Sequence, residues 1–289
     1  MRLCTAVISL LCACSLTLTP AAQAQSTATD LIARLMDKPL YLRGFWRDDN
    51  LHFDSTGHLN GSSKPLTFTL SGFDLKKVNL KQDKLILEGR RVGLELAKDK
   101  QKRLILQVGN PRQPKDESIY IEIAANSTGD YGPALDAIFV DGLADLAPSL
   151  PFYWKSYAQK NLLPAATADI PASVPAASAT SHSVQQTSLP QETKPQRIGA
   201  GITAPRLLHS AEPEFTSAAR MLSYSGKSLV NLHVEPDGTV THLSVVRALG
   251  LGLDERALAA VQKYTFSPAM MNGKPVLVEL NVEINFQIY

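Results

Sequence analysis

The most regular hydrophobic pattern in the chain is the alternation of its last fourteen residues, Val276 to Tyr289. Even-numbered positions are apolar and odd-numbered positions are polar, with Leu277 as the exception. A period of two is typical of a β-strand that is buried on one face, so we predict one long strand over 276–289. No later residue of the sequence is available to cover its outer edge. The N–H and C=O groups of such an edge can pair with a strand of another chain.

The surrounding pattern predicts a small α+β domain over residues 203–289. Apolar positions at helical spacing indicate one helix over 214–224, which Gly226 ends, and another over 253–263, with Asp254 at its positive end. Alternating apolar residues on both sides of Pro236-Asp237-Gly238 indicate a hairpin with a three-residue turn. We therefore predict a three-stranded antiparallel sheet with two helices on its one apolar face.

A second, mainly-β domain is predicted over residues 28–162. Short apolar runs separated by turn signals recur about every ten residues, which is typical of an antiparallel meander or partial barrel. Helical patterns over 30–36, 134–144 and 151–161 place Ile138, Phe139, Leu143 and Leu146 where they could cover one open face of the sheet. The predicted strands are 40–46, 51–53, 66–70, 84–88, 92–96, 104–108 and 119–123. The pattern assigns no function to this domain.

The two domains are separated by a segment of a different composition, residues 163–202. It is rich in Pro, Ala, Ser and Thr, has almost no charge up to Pro190 and shows no apolar period. Such a segment is typical of a flexible or extended tether. We therefore expect few contacts between the two domains and independent folding of each.

The N-terminal residues have the pattern of a targeting signal. Arg2 precedes a mostly apolar run, and Ala22-Gln23-Ala24 fits a small-x-small cleavage site, so we predict a secretory signal peptide over 1–24. Two alternatives stay open, namely lipidation of Cys14 and an uncut inner-membrane anchor. The signal peptide predicts a periplasmic protein, which would contact a membrane only if this segment is uncut or lipidated.

Composition and motifs exclude several functional classes. The net charge of +2 without a basic stripe argues against nucleic-acid binding. All three cysteines lie in the first fourteen residues, so cleavage would leave no disulfide or thiolate. We find no nucleophile motif, phosphate-binding loop or metal-ligand cluster, and we predict neither an enzyme nor a cofactor.

Several chemically suggestive residues have simpler structural interpretations. His52 and His58 lack a third metal ligand at a usable spacing, and a three-residue turn moves His233 and His242 out of direct opposition. Trp46 is more simply a core residue than a sugar-stacking one, and so is Trp154. A scatter of basic side chains among acidic ones predicts a solvated mixed-charge face, at Lys76, Lys77, Lys81, Lys84, Arg90 and Arg91.

The order of elements over 203–289 resembles that of the C-terminal domain of the TonB energy transducers. The matching residues include Pro213-Glu214-Phe215, Asp237-Gly238-Thr239-Val240, Leu253-Asp254, Lys263 to Ala269, and Gly273 to Val276 with Phe286. The resemblance covers under a third of the chain. Phe215-Thr216 departs from the Tyr-Pro of the family. The resemblance implies a periplasmic domain that binds the TonB box, a short extended segment of outer-membrane receptors, by adding it to the last strand.

The combined hypothesis is a non-enzymatic periplasmic protein that binds an extended peptide of a TonB-dependent receptor or another envelope partner. We expect the partner strand along Glu279, Asn281, Glu283, Asn285 and Gln287. One alternative is a membrane-anchored transducer that moves force to an outer-membrane transporter. The other is a structural envelope protein that forms a homodimer through its last strand.

Overall fold

The structure is a computed structural model, and it describes residues 27–97, 100–163, 194–199 and 201–288. The predicted signal peptide and most of the predicted tether lie outside these residues. No helix within the described ranges is both long enough and apolar enough to span a membrane.

The N-terminal unit, residues 27–163, is built mainly from β-strands. Its strands are β1 Leu40–Leu42, β2 Asn50–Phe53, β3 Gly72–Leu80, β4 Lys84–Glu95, β5 Lys102–Ile105, β6 Gln107–Asn110, β7 Gln113–Asp116, β8 Ser118–Ala124 and β9 Phe139–Asp141. Its helices are α1 Ala28–Leu35, α2 Gly132–Ile138 and α3 Lys155–Asn161. The seven-stranded main sheet has the order β2-β8-β4-β3-β1-β9, with β5 paired to β4, while β6 and β7 form a separate hairpin.

This strand order differs from the predicted meander. β2 runs parallel to β8, and β1 lies between β3 and β9. The alternation of apolar residues identifies which segments are extended. It does not identify their partners, because partner choice depends on contacts between residues far apart in the sequence.

Several strand boundaries in this unit were predicted wrongly, including 40–46, which ends as β1 at Leu42, and 104–108, which is divided between β5 and β6. The run 66–70 contains a buried 3-10 turn, Phe68–Leu70, and the strand follows it as β3, whose pattern is interrupted by Lys76 and Lys77. The predicted strands 84–88 and 92–96 are one strand, β4. The two runs were predicted as separate strands because Arg91, a charged residue, lies between them. Arg91 is nevertheless only 1% exposed, and its guanidinium donates to Glu117 at 2.8 Å and to three backbone carbonyls. The prediction of a solvated face is therefore wrong for Arg91.

One hydrophobic core lies between this sheet and the first two helices. Leu31 and Leu35 of α1 and Leu135 of α2 pack with strand residues such as Leu85 and Ile121. Trp46 packs against this core with its ring centroid 4.9 Å from that of Phe53. The predicted helix 134–144 ends at Ile138, because Phe139 begins β9 and pairs with Leu42.

The C-terminal unit combines one larger sheet with two small ones. Its strands are β10 Gln196–Arg197, β11 Ile202–Thr203, β12 Arg206–His209, β13 Gly226–Val234, β14 Val240–Arg247, β15 Thr265–Ser267, β16 Ala269–Met271, β17 Lys274–Val276 and β18 Val278–Phe286. Its helices are α4 Ser217–Met221 and α5 Leu253–Val261. The larger sheet has the order β10-β18-β13-β14, the small sheets are β11-β16-β17 and β12-β15, and β18-β13-β14 is antiparallel.

Two details of this unit correct the sequence analysis. Gly226 does not end the first helix but begins β13, where a Cβ atom would lie 2.5 Å from the Leu249 side chain. The predicted strand 276–289 is divided at Leu277, the one misfit in its alternation, because β17 pairs with β16 whereas β18 pairs with β13. The second strand ends at Phe286, and Ile288 is 42% exposed instead of buried.

A second core is shared by the two units. Leu70, Leu94 and Trp154 of the N-terminal unit belong to the same buried cluster as Val230 and Val261 of the C-terminal unit. The buried Trp154 confirms its interpretation as a core residue. Leu143 and Leu146, predicted to cover the N-terminal sheet, also lie in this shared core.

The junction between the units also contains backbone hydrogen bonds. Leu96 N–H donates to Leu249 C=O at 3.0 Å, and Leu251 N–H donates to Leu94 C=O at 2.8 Å. Gly250 lies between them with φ +94°, and a Cβ atom there would lie 2.1 Å from the Leu94 oxygen. The expectation of few contacts between the units is therefore wrong, because their apolar surfaces are buried against each other.

Candidate functional site

The candidate site is the outer edge of β18. On its inner side, β18 pairs with β13 through nine consecutive residue pairs, from Val278↔Val234 to Phe286↔Gly226. On its outer side, β10 pairs in parallel with Val278 and Glu279 only. In the described part of the chain, no strand pairs with the outer side of residues 280–286.

One hydrogen bond fixes which residues of β18 face outward. Gln196 N–H donates to Leu277 C=O at 3.0 Å, so Leu277 presents its main-chain groups to the outer edge. Successive residues of a strand present their N–H and C=O groups to opposite sides. The register Arg197↔Glu279 agrees, because it places the Glu279 main chain toward β10. The outward-facing residues beyond it are therefore Asn281, Glu283 and Asn285.

The side chains of the predicted site residues lie on the polar face of the same strand. Asn231 Nδ2 donates to Glu279 at 2.8 Å and to Asn281 at 2.9 Å, which brings these two residues together. Glu283 is exposed and pairs with Lys227 at 2.6 Å and Arg247 at 2.8 Å. The Lys227 hydrogen bond is the largest of the effects that lower the pKa of Glu283.

The remaining two predicted residues lie near the end of the strand. Asn285 is exposed within β18, whereas Gln287 follows the last strand residue, Phe286. On the opposite face, Val278, Ile284 and Phe286 are buried, and the Phe286 ring lies edge-on to Phe215 with centroids 5.3 Å apart. Hydrophobic burial therefore fixes the orientation of β18, since a slip of one residue would expose these side chains.

Sequence reasoning missed β10. It has only two residues, follows Pro195 and carries no alternation. No signal in the sequence distinguishes it from the rest of the tether.

The histidine pair lies beside β10. The hairpin turn has three residues, as predicted, and His233 is opposite Thr241. A bulge between Asn231 and His233 then turns His242 to φ +51° and stacks the two imidazoles with centroids 4.6 Å apart. Burial and His242 lower the pKa of His233. A cavity of about 710 Å³ separates the pair from β10, and it is lined by Lys194, Pro195, Gln196, His233, Glu235, Pro236, His242, Pro275, Val276 and Leu277.

Two acidic residues lie at the start of α5 near the junction, and of these Asp254 is fully buried whereas Glu255 is half-buried. Asp254 accepts hydrogen bonds from Leu249 N–H, Gly250 N–H and the Ser228 hydroxyl, and burial raises its pKa to about 6. Glu255 accepts one bond from Trp154 Nε1 at 2.9 Å. Its Oε2 atom is buried without a hydrogen-bond partner among the described residues, and burial raises the pKa of Glu255 to about 8. Only Asp254 was singled out from the sequence, as a residue at the start of a helix.

The described residues contain no group of three or more His, Cys, Asp or Glu side chains that could hold a metal ion. His52 instead lies 3.8 Å from Glu122, and His58 lies 3.7 Å from Asp54.

Comparison with known proteins places the candidate site in a family domain. Residues 211–288 match the family described as Gram-negative bacterial TonB protein C-terminal. The solution NMR structure of the Pseudomonas aeruginosa TonB C-terminal domain is similar at 19% sequence identity and a TM-score of 0.26, over 33% of this chain and 96% of that one. No curated protein matches the chain.

Proposed function

We propose that the domain of residues 211–288, which matches the TonB C-terminal family, binds an extended peptide by adding it as a strand to β18. The proposed partner is an outer-membrane TonB-dependent receptor or another envelope protein, and the proposed location is the periplasm. The activity is binding in support of outer-membrane transport, without a catalytic step.

The observation that carries this proposal is the row of outward-facing residues Asn281, Glu283 and Asn285. Their main-chain groups lie along one regular strand and face no other strand of the described residues. Strand addition uses such groups for affinity, whereas pockets for alternate side chains provide specificity.

The other edge of the sheet is less available to a partner. β14 packs against α3 and against the 3-10 turn Phe152–Trp154 of the N-terminal unit. A partner strand therefore has more room beside β18 than beside β14.

The test is a titration of the full chain with a labelled peptide that carries the TonB box of a TonB-dependent receptor, followed by fluorescence anisotropy. Two further peptides carry N-methyl groups on alternate residues. One is methylated on its odd-numbered residues and the other on its even-numbered residues. A peptide added as a strand points alternate amides toward β18, so one methylated peptide should lose about tenfold or more in affinity and the other should bind nearly normally. A scrambled peptide is the control for composition.

Equal weakening by both methylated peptides, or no binding of the unmodified peptide, would contradict strand addition. Analytical ultracentrifugation of the same samples tests the homodimer. If the chain is a dimer and the unmodified peptide does not bind, the result favours self-association through the edge, whereas a dimer that persists with the peptide bound uses another surface.

A further inference from the structure

We propose that β10 is an internal competitor for the partner strand, so that the end of the tether occupies part of the binding edge until a partner displaces it. This inference rests on the proposed function of the β18 edge.

β10 occupies the first positions of the β18 edge. Gln196 donates its N–H to Leu277 C=O at 3.0 Å, and Arg197 is in register with Glu279. These are the first outward-facing positions of the edge. A partner strand that extends across the whole edge needs the same main-chain groups, and each of those groups has room for only one strand.

β10 is held weakly at this edge. It has two residues, and no side-chain hydrogen bond or ion pair of Gln196 or Arg197 occurs among the described residues. The cavity of about 710 Å³ beside it shows that its packing against the β13–β14 hairpin is incomplete. Ile198, the next residue, is 44% exposed.

β10 is covalently joined to the domain whose edge it occupies. Because β10 belongs to the same chain, its effective concentration at the edge is high even though its pairing is weak. A partner must therefore form more main-chain bonds than β10 does, and Asn281, Glu283 and Asn285 provide them. The edge thus selects long extended segments over short ones.

The test compares two proline substitutions in the full chain. In the parallel register, Gln196 faces β18 whereas the N–H of Arg197 faces away. Gln196→Pro removes the donor to Leu277, and Arg197→Pro is the matched control that adds the same ring without removing that bond. Gln196→Ala keeps the donor and controls for the side chain. The probe is the labelled TonB-box peptide.

We expect Gln196→Pro to bind the peptide about two- to tenfold more tightly than the wild type, which corresponds to one net backbone hydrogen bond. Arg197→Pro and Gln196→Ala should bind like the wild type. Residue-resolved amide hydrogen exchange without peptide gives the second measurement. The amide of Glu279 should exchange more slowly than that of Asn281, and Gln196→Pro should remove this difference.

Equal peptide affinity for the wild type and Gln196→Pro would overturn the competitor and leave strand addition intact. Equally fast exchange at Glu279 in both proteins would overturn the occupancy of the edge by β10. If no variant binds the peptide, the proposed function fails and the competitor role fails with it, even where the exchange measurement shows β10 in place.

Discussion

Glu255 links the protonation state of α5 to the docking of the N-terminal unit. Its carboxyl accepts from Trp154, a residue of the other unit, and burial raises its pKa from 4.5 to about 8. At neutral pH the folded protein therefore holds mainly the neutral carboxylic acid, which avoids an unpaired charge inside the junction.

This shift predicts a pH dependence of stability. Between pH 4.5 and about 8 the folded chain binds a proton at Glu255 that the unfolded chain releases, so the free energy of unfolding falls as the pH rises through this window. Glu255→Gln keeps an acceptor for Trp154 but removes the titration. The variant should be more stable than the wild type at pH 8, by about 1–3 kcal/mol, and its free energy of unfolding should fall less as the pH rises.

The measurement is urea unfolding at several pH values. Glu212→Gln, at an exposed position, is the control with the same change of charge. Asp254, whose pKa is raised from 3.8 to about 6, lowers the free energy of unfolding as the pH rises between these two values, and it does so in all three proteins. A wild-type stability that rises from pH 6 to pH 8 would contradict the assignment to Glu255.

At the scale of elements, the alternation of inward-facing and outward-facing main-chain groups along β18 predicts different effects for proline substitutions at neighbouring positions. Ile284 is buried and presents its N–H to β13, whereas Asn285 is exposed and presents its N–H outward. Ile284→Pro should destabilise the fold by about 2–5 kcal/mol from lost burial alone. Asn285→Pro should be tolerated, because proline is acceptable at a strand edge.

Circular dichroism during urea unfolding measures both effects, with Asn285→Ala as the control for the lost side chain. A larger destabilisation by Asn285→Pro than by Ile284→Pro would show that the N–H group of Ile284, and not that of Asn285, faces the outer edge.

Elements with a clear internal pattern could be predicted from the sequence, and those defined by a distant partner could not. The alternation of β18 and the three-residue turn at Pro236 were visible because each depends on neighbouring residues. Other features depend on which strand lies alongside, and these are the end of β17 at Val276, the bulge at His242 and the pairing of β10. Similarly, the environment of Glu255 depends on its hydrogen bond from Trp154, 101 positions away in the sequence.

At the scale of the whole molecule, the shared core predicts that the two units stay together after the tether is cut. Mild proteolysis between residues 164 and 193 should yield two fragments that elute as one species in size-exclusion chromatography. They should separate only under denaturing conditions, because separation exposes Leu94, Trp154 and Leu251 to water.

Uncut chain and a denatured digest serve as the size references. Two separate, folded fragments in native buffer would instead support the independent domains that the composition of the tether suggested.

The shared core also sets the distance between two points of the chain. Leu163 packs against the shared core, and β10 begins at Gln196 on the edge of β18. While the junction is closed, the distance between these two points is therefore set by packing and not by the composition of the chain that joins them. The apolar contact around Gly250 thus determines the separation of the two ends of the predicted tether.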